Sequence, residues 1–190
     1  MDGPRGTAMF GGTFDPIHNA HLDIARAAAD RFDLAKILFV PAAHPPHKPD
    51  GAAASWEDRV RMVELACAVD PRFEVSLIER NTAPSYTILA IEKLHALGVK
   101  PLSCLIGADA FAEIRTWYRW RDIVEAVEFI VVTRPGASWE APRGALVREL
   151  TGLDLPVSSS EIRRQVIGNA TPVPVPEPVL AYIREHGLYR

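Results

Sequence analysis

Cysteine is scarce in this chain. Only Cys67 and Cys104 occur, each in apolar surroundings, "ELACAV" and "PLSCLIG". Two such residues exclude a disulfide framework and predict buried, reduced thiols, as in a cytosolic protein. Long apolar runs are missing as well. No segment approaches about 18 unbroken apolar residues, so no membrane span is expected. The opening "MDGPRGTAMF" holds no apolar run of the kind a signal peptide needs. Excess positive charge is absent too: the formal net charge is -3. That argues against a broad nucleic-acid-binding face. Anionic small molecules remain open, because a local site can be basic on an acidic protein. There is no internal repeat and no heptad series. The expectation is a cytoplasmic protein with no membrane and no nucleic-acid partner. Nothing in the composition speaks against a homo-oligomer.

What is present is alternation. The 190 residues predict one domain, 1–190, with room for a sizeable core. "TAMF" at 7–10 reads as a strand ended by Gly11-Gly12, and 19–31 as a helix with Leu22, Ala25 and Ala29 at helical spacing. "KILFVP" at 36–41 is a continuous apolar run, typical of a strand buried on both faces. Ser55 is placed to cap the helix that follows, 56–69. Strands are then predicted over 72–79, 101–109, 128–136 and 153–158. Helices are predicted over 85–98, closed by Gly98, and over 120–127 and 159–168. The proline-rich segment 169–178 reads as an extended linker, and 177–188 as a last amphipathic helix with Pro178 near its start. Alternating strands and helices imply a doubly wound parallel sheet. The C-terminal part, about 158–190, adds a small helical extension.

In such sheets ligands bind beyond the carboxyl ends of the strands. The informative segments are those just after strands. "GGTFDPIHNAH" at 11–21 places two glycines before a helix start and His18 and His21 three residues apart. Glycine lets backbone approach a ligand closely, and a helix start offers free N–H groups to an anion. The two imidazoles could then donate to charge developing on a phosphate. From spacing alone, surface histidines beside turn punctuation are about equally plausible. A zinc site shared with His44 and His47 is a weaker third reading, because no cysteine cluster completes it. "SSSEIRRQV" at 158–166 sets three hydroxyls at a helix start with Arg163 and Arg164 one turn in, which suits a polyphosphate. The plainer alternative is an ordinary cap with a solvated arginine pair. Lys48 follows a constrained proline pair in "PPHK".

Together these segments resemble a known family. "GGTFDPIHNAH" is similar to the first signature of the HxGH-motif nucleotidyltransferases, and "SSSEIR" to their second. "PAAHPPHK", "SYT", "IGAD", Trp117 with Trp120, "RPG" and "YIREHGLY" resemble the bacterial nicotinate mononucleotide adenylyltransferases. The resemblance runs from about Thr7 to Tyr189. Three positions depart from the pattern. Ala20 stands for the motif's glycine and Ser160 for a threonine. Leu89-Ala90 stand where Asp-Thr is usual.

The resemblance implies a Rossmann-like fold and the reaction of ATP with nicotinate mononucleotide to deamido-NAD and pyrophosphate, a step of NAD biosynthesis. It implies that His18 and His21 serve the ATP phosphates, and that Gly11, Gly12, Thr13 and Phe14 line the site through their backbone. Lys48 and Arg163 neutralise phosphate charge, and Ser159 and Ser160 donate to the leaving pyrophosphate. Gly107 and Asp109 approach the ribose or the dinucleotide bridge, and Arg134 flanks the adenine. Trp117 stacks on the pyridine ring, with Thr87 and Tyr118 nearby. Without the resemblance, Trp117 would be read as a half-buried core aromatic and Asp109 as a helix cap. Mg2+ is expected to arrive on ATP rather than in a protein cage. The alternatives are a relative acting on nicotinamide mononucleotide or phosphopantetheine, and a non-catalytic nucleotide-binding module.

Overall fold

The structure is a computed structural model, and it describes residues 6–45, 51–134, 136–153 and 156–190. Six strands form one sheet: β1 (Thr7–Gly12), β2 (Lys36–Pro41), β3 (Phe73–Val75), β4 (Leu102–Gly107), β5 (Glu128–Val132) and β6 (Leu146–Leu150). Their order is β3-β2-β1-β4-β5-β6, and every pairing is parallel. The helices are α1 (Asn19–Arg31), α2 (Trp56–Cys67), α3 (Thr87–Ala96), α4 (Ala108–Ala112), α5 (Trp120–Ala126), α6 (Ser159–Ile167) and α7 (Glu177–Glu185). This is the expected doubly wound, Rossmann-like α/β fold.

The period of two along each strand divides the core. Ala8 and Phe10 of β1, with Ile37 and Phe39 of β2, face a layer built by α1, α2, α6 and α7. Met9, Leu38 and Val40 face the other way, into a layer built by α3, α4 and α5. Both faces are therefore dry, which is why "KILFVP" shows no alternation. Phe39, Ile37, Phe129 and Ile91 are fully buried. Each such side chain contributes roughly 1.5–3 kcal/mol by leaving water.

Local signals act as their chemistry predicts. Leu22, Ala25 and Ala29 are the buried stripe of α1, together with Ala20 and Ala28. Ser55 caps α2, its hydroxyl accepting the Asp58 N–H at 3.0 Å. Gly98 takes a left-handed φ of 82° after α3, the conformation a helix-ending glycine supplies. Cys67 and Cys104 are free and buried.

Three expectations need correction. The glycine pair does not end β1: Gly11 and Gly12 still pair with Val40 and Pro41 of β2. The strand over 72–79 shrinks to Phe73–Val75 at the sheet edge. No described residue of 153–158 is in a strand. The sixth strand is Leu146–Leu150, mostly exposed, with Arg148 paired to Glu128 of β5 at 2.7 Å. A charged edge strand carries no apolar run, so hydrophobic patterning passes over it.

Candidate active site

From β1 the chain runs outward to β2 and β3, then returns across β1 to β4. Strand order thus reverses between β1 and β4. The crevice at their carboxyl ends collects the segments after β1, β2, β4 and β5, and the start of α6.

Two clefts open there. One, of about 240 Å³, is bordered by Gly11, Gly12, Thr13, Thr87, Gly107 and Trp117. The other, of about 270 Å³, is bordered by His18, Ala20, His21, Arg134, Ser158 and Ser159. The Phe10 ring borders the first cleft and stands 5.9 Å from the ring of His21, which borders the second. Trp117 also faces an adjoining hollow with Thr87 and Tyr118. The residues expected at the base and those expected at the phosphates therefore sit side by side. Ser160 and Arg163 follow Ser159 on α6 without themselves bordering the second cleft, and Arg163 Nη2 donates to Ser160 Oγ at 3.2 Å. Asp109 lies exposed in the first turn of α4. Phe14 is buried, and its ring packs 5.1 Å from that of His21, so it supports the histidine from below. Lys48 lies outside the described residues.

The two histidines are locked together. His18 is the residue before α1, and its backbone N–H donates to Nδ1 of His21 at 3.2 Å. Their rings stack with centroids 3.6 Å apart. An acceptor Nδ1 leaves the proton of a neutral His21 on Nε2, as the donor free for a ligand. Nδ1 of His18 is buried without a partner. Burial lowers the His18 pKa to about 4. Burial, and then the neighbouring His18, lowers that of His21 well below the usual imidazole value. Near neutral pH both rings are uncharged hydrogen-bonding groups. Among the described residues, Arg134 borders the histidine cleft and Arg163 lies beside it on the Asp15 turn as positive charges.

Helix α6 is docked by the same turn. Ser159 Oγ donates to the Pro16 carbonyl at 2.9 Å, and Arg163 Nη1 to the Asp15 carbonyl at 2.7 Å. In this arrangement the Ser159 hydroxyl proton serves the docking, while Ser160 is exposed.

Several groups of the site have structural roles that no local pattern marks. Asp15, inside the "GGTFDPIHNAH" segment, is 2% exposed. Its carboxylate accepts the N–H groups of Ala53 at 2.7 Å and Ala54 at 3.1 Å. Arg59, fully buried in α2, donates to the Thr13 carbonyl at 2.6 Å. Glu79 and Ser85 hold Ala43 and His44, the segment after β2, at 3.2 and 2.8 Å. Cys104 borders the first cleft, but burial pushes its thiol up to about 12, so it is no nucleophile. Of the departures, Ala20 borders the second cleft and Ala90 the first, while Leu89 packs on the core.

The profile of the cytidylyltransferase-like family matches residues 9–165. The chain belongs to the cytidylyltransferase-like family. A protein of Solibacter usitatus named probable nicotinate-nucleotide adenylyltransferase is 55% identical over 185 residues, covering 96% of this chain and 98% of that one. One of the same name from Neisseria meningitidis is 39% identical, covering 95% and 96%. Among solved structures, the Plasmodium falciparum nicotinic acid mononucleotide adenylyltransferase complexed with NaAD superposes with a TM-score of 0.78 at 17% identity. It covers 97% of each chain. That likeness is one of fold. The resemblance drawn from the sequence motifs is borne out at the level of family and fold.

Among the described residues, no group of three or more His, Cys, Asp or Glu side chains is placed to hold a metal. Among the described residues, no carboxylate borders the second cleft. Its donors suit phosphate oxygens rather than a cation. No helix of the described residues is long and apolar enough to cross a membrane.

Proposed function

We propose that this protein is a nicotinate-nucleotide adenylyltransferase, transferring AMP from ATP to nicotinate mononucleotide. The observation that carries the reading is the locked histidine pair at the β1–β4 crevice, beside a separate cleft walled by Trp117 and Thr87. The names of relatives up to 55% identical over nearly the whole chain support the same substrates.

The chemistry follows from the donor set. A phosphate oxygen of the mononucleotide attacks the α-phosphorus of ATP. The new P–O bond forms as the bond from the α-phosphorus to the bridging oxygen breaks, and pyrophosphate leaves with that electron pair. The attacking phosphate is already ionised, so no protein base is required. Positioning and charge stabilisation supply the catalysis. His21 Nε2–H, the Ala20 N–H in the first turn of α1 and the N–H groups of Ser159 and Ser160 at the start of α6 donate to the triphosphate; the Asn19 and His21 N–H groups are already engaged by the Pro174 and His18 carbonyls. Arg163, with Lys48, neutralises charge on the leaving pyrophosphate, and Ser160, whose oxygen accepts from Arg163, donates its hydroxyl proton to it. Ser159 contributes mainly by docking α6. Gly11, Gly12 and Thr13 present backbone between the two clefts, Arg134 flanks the adenine, and Gly107 with Asp109 meets a ribose. Trp117 and Tyr118 embrace the pyridine ring. Mg2+ would arrive bound to ATP and supply further neutralisation of phosphate charge, with no group of described side chains placed to hold it. The setting is NAD biosynthesis in the cytoplasm.

The test is direct. Purified protein is incubated with ATP, Mg2+ and either nicotinate mononucleotide, nicotinamide mononucleotide or phosphopantetheine, and pyrophosphate release is followed. Rapid release only with the first is expected. Release only with one of the others would replace this reading.

A further inference from the structure

The turn that carries the histidines is tied to a residue 174 positions away. The Tyr189 hydroxyl donates to Asp15 Oδ1 at 2.8 Å. Asp15 lies three residues before His18, and its carboxylate is a junction. Oδ2 accepts the Ala53 N–H at 2.7 Å and stands 3.7 Å from Arg163 Nη1, and Oδ1 also accepts the Ala54 N–H. The same Arg163 nitrogen donates to the Asp15 backbone carbonyl at 2.7 Å. Four segments thus meet at one buried carboxylate: the turn after β1, the segment ahead of α2, the start of α6, and the tail after α7.

The tail is held in place by more than this bond. Tyr182 of α7 donates to Asp58 of α2 at 2.8 Å, and Tyr189 itself takes a left-handed φ of 62°. Such a φ is uncommon for a bulky residue and persists where its surroundings fix it. Here the hydroxyl is aimed at a carboxylate with almost no access to water. Burial and the facing Asp15 both raise the Tyr189 pKa, so the phenol remains a donor across the working range.

We propose that Tyr189 is a positioning residue for adenylyl transfer: through Asp15 it sets the place of Arg163 and of the Ala53–Ala54 segment against the triphosphate cleft. The inference rests on the function proposed above. Arg163 has two demands on it, the Asp15 carboxylate and an arriving phosphate. A carboxylate already satisfied by Tyr189 and two backbone N–H groups pulls less on the guanidinium. Remove the phenol's proton, and Asp15 draws Arg163 further from the cleft. The effect falls on the ATP side, because Asp15 and Arg163 join the turn of His18 to α6, whose Ser159 borders the histidine cleft, and no residue of the junction borders the Trp117 cleft.

Tyr189→Phe keeps the ring and deletes the donor. The expected result is roughly tenfold weaker binding of α,β-methylene ATP, the scale for one hydrogen bond to a charged group. KM for the mononucleotide should stay within about twofold and kcat should drop by a similar tenfold. Asp15→Asn should also weaken the analogue, and adding Tyr189→Phe to it should cost little more, as coupled residues behave. A purely structural role predicts otherwise: a lower melting temperature, with both substrates affected alike. Unchanged analogue affinity in Tyr189→Phe, or that even-handed pattern, overturns the proposal. Binding of the analogue is read by calorimetry without any acceptor. A wild type that binds the analogue but transfers nothing to nicotinate mononucleotide would defeat the proposed function alone.

Discussion

His18 holds His21 by its backbone as well as by its stacked ring: the N–H of His18 reaches Nδ1 of His21 at 3.2 Å. The bond does two things. It turns the His21 ring and fixes its tautomer, leaving Nε2–H as donor. His21 is then prepared for charge that develops during transfer, rather than for ATP at rest. Losing one preorganised donor costs about 10²–10³ in kcat. His21→Ala should show that loss with a modest change in KM for ATP. A near-wild-type turnover would remove His21 from the transition state. Long-range nitrogen–proton NMR should also show His21 unprotonated at Nδ1 at pH 7.

Burial of these rings makes the fold sensitive to acid. The His18 imidazole titrates near pH 6.5 in an unfolded chain but near 4 in the folded protein. Between these values the unfolded chain binds more protons, so stability falls as pH drops from about 6.5 toward 4. His21 shifts in the same direction and adds to the effect. His18→Gln cannot titrate. The drop in unfolding free energy between pH 7 and pH 5 should be smaller in this variant by on the order of 1–2 kcal/mol. Urea titrations at the two pH values measure it, and equal drops in both proteins would contradict the burial argument.

Gly12 is required by a ring rather than by its backbone angle. A Cβ placed there would lie 2.9 Å and 3.0 Å from carbons of the Phe14 ring. Phe14 is wedged against Phe10, Phe39 and His21, with centroids 5.8, 5.7 and 5.1 Å away. It cannot yield without moving the histidine. Overpacking of this kind costs about 1–3 kcal/mol. Gly12→Ala is expected to fold but to lose at least about tenfold in kcat, since a small misplacement of a catalytic group is costly. Saturating-substrate kinetics beside a thermal melt will separate the two effects.

How far the sequence reaches is clear from particular residues. Asn19–Arg31 and Lys36–Pro41 were legible to the residue, because one shows a clean helical stripe and the other an unbroken apolar run. The strand Leu146–Leu150 was not, because exposed charged residues on a sheet edge leave no pattern. His18, His21 and Arg163 were visible as a dense local motif. Asp15 stood inside the same "GGTFDPIHNAH" segment, with nothing to mark it as a junction. Its partners, Ala53, Arg163 and Tyr189, are 38, 148 and 174 positions away, and a junction of that span leaves no periodicity to read. Arg59 reads as one more charge on an amphipathic helix until the fold buries it.

The choice of base gives the last prediction. Nicotinate and nicotinamide mononucleotides differ in a carboxylate against a carboxamide. A carboxylate only accepts hydrogen bonds, whereas the amide also brings an N–H₂ donor. Thr87 borders the cleft with Trp117 and is the first residue of α3. The opening N–H groups of a helix lack partners in the preceding turn, and the helix dipole favours a negative charge there. A carboxylate at this end of α3 gains donors and dipole together, while an amide turning its N–H₂ toward them leaves polar groups unpaired. That mismatch is worth on the order of 1–3 kcal/mol, more with the lost charge. Trp117 cannot make the distinction, because both rings present the same face. Trp117→Ala should therefore weaken both mononucleotides, while the acid keeps a preference of roughly a hundredfold or more in kcat/KM. Paired kinetics on the two substrates, for wild type and Trp117→Ala, decide it. Equal kcat/KM in the wild type would mean that the start of α3 does not meet the carboxyl group, and that this family member belongs with enzymes of another acceptor.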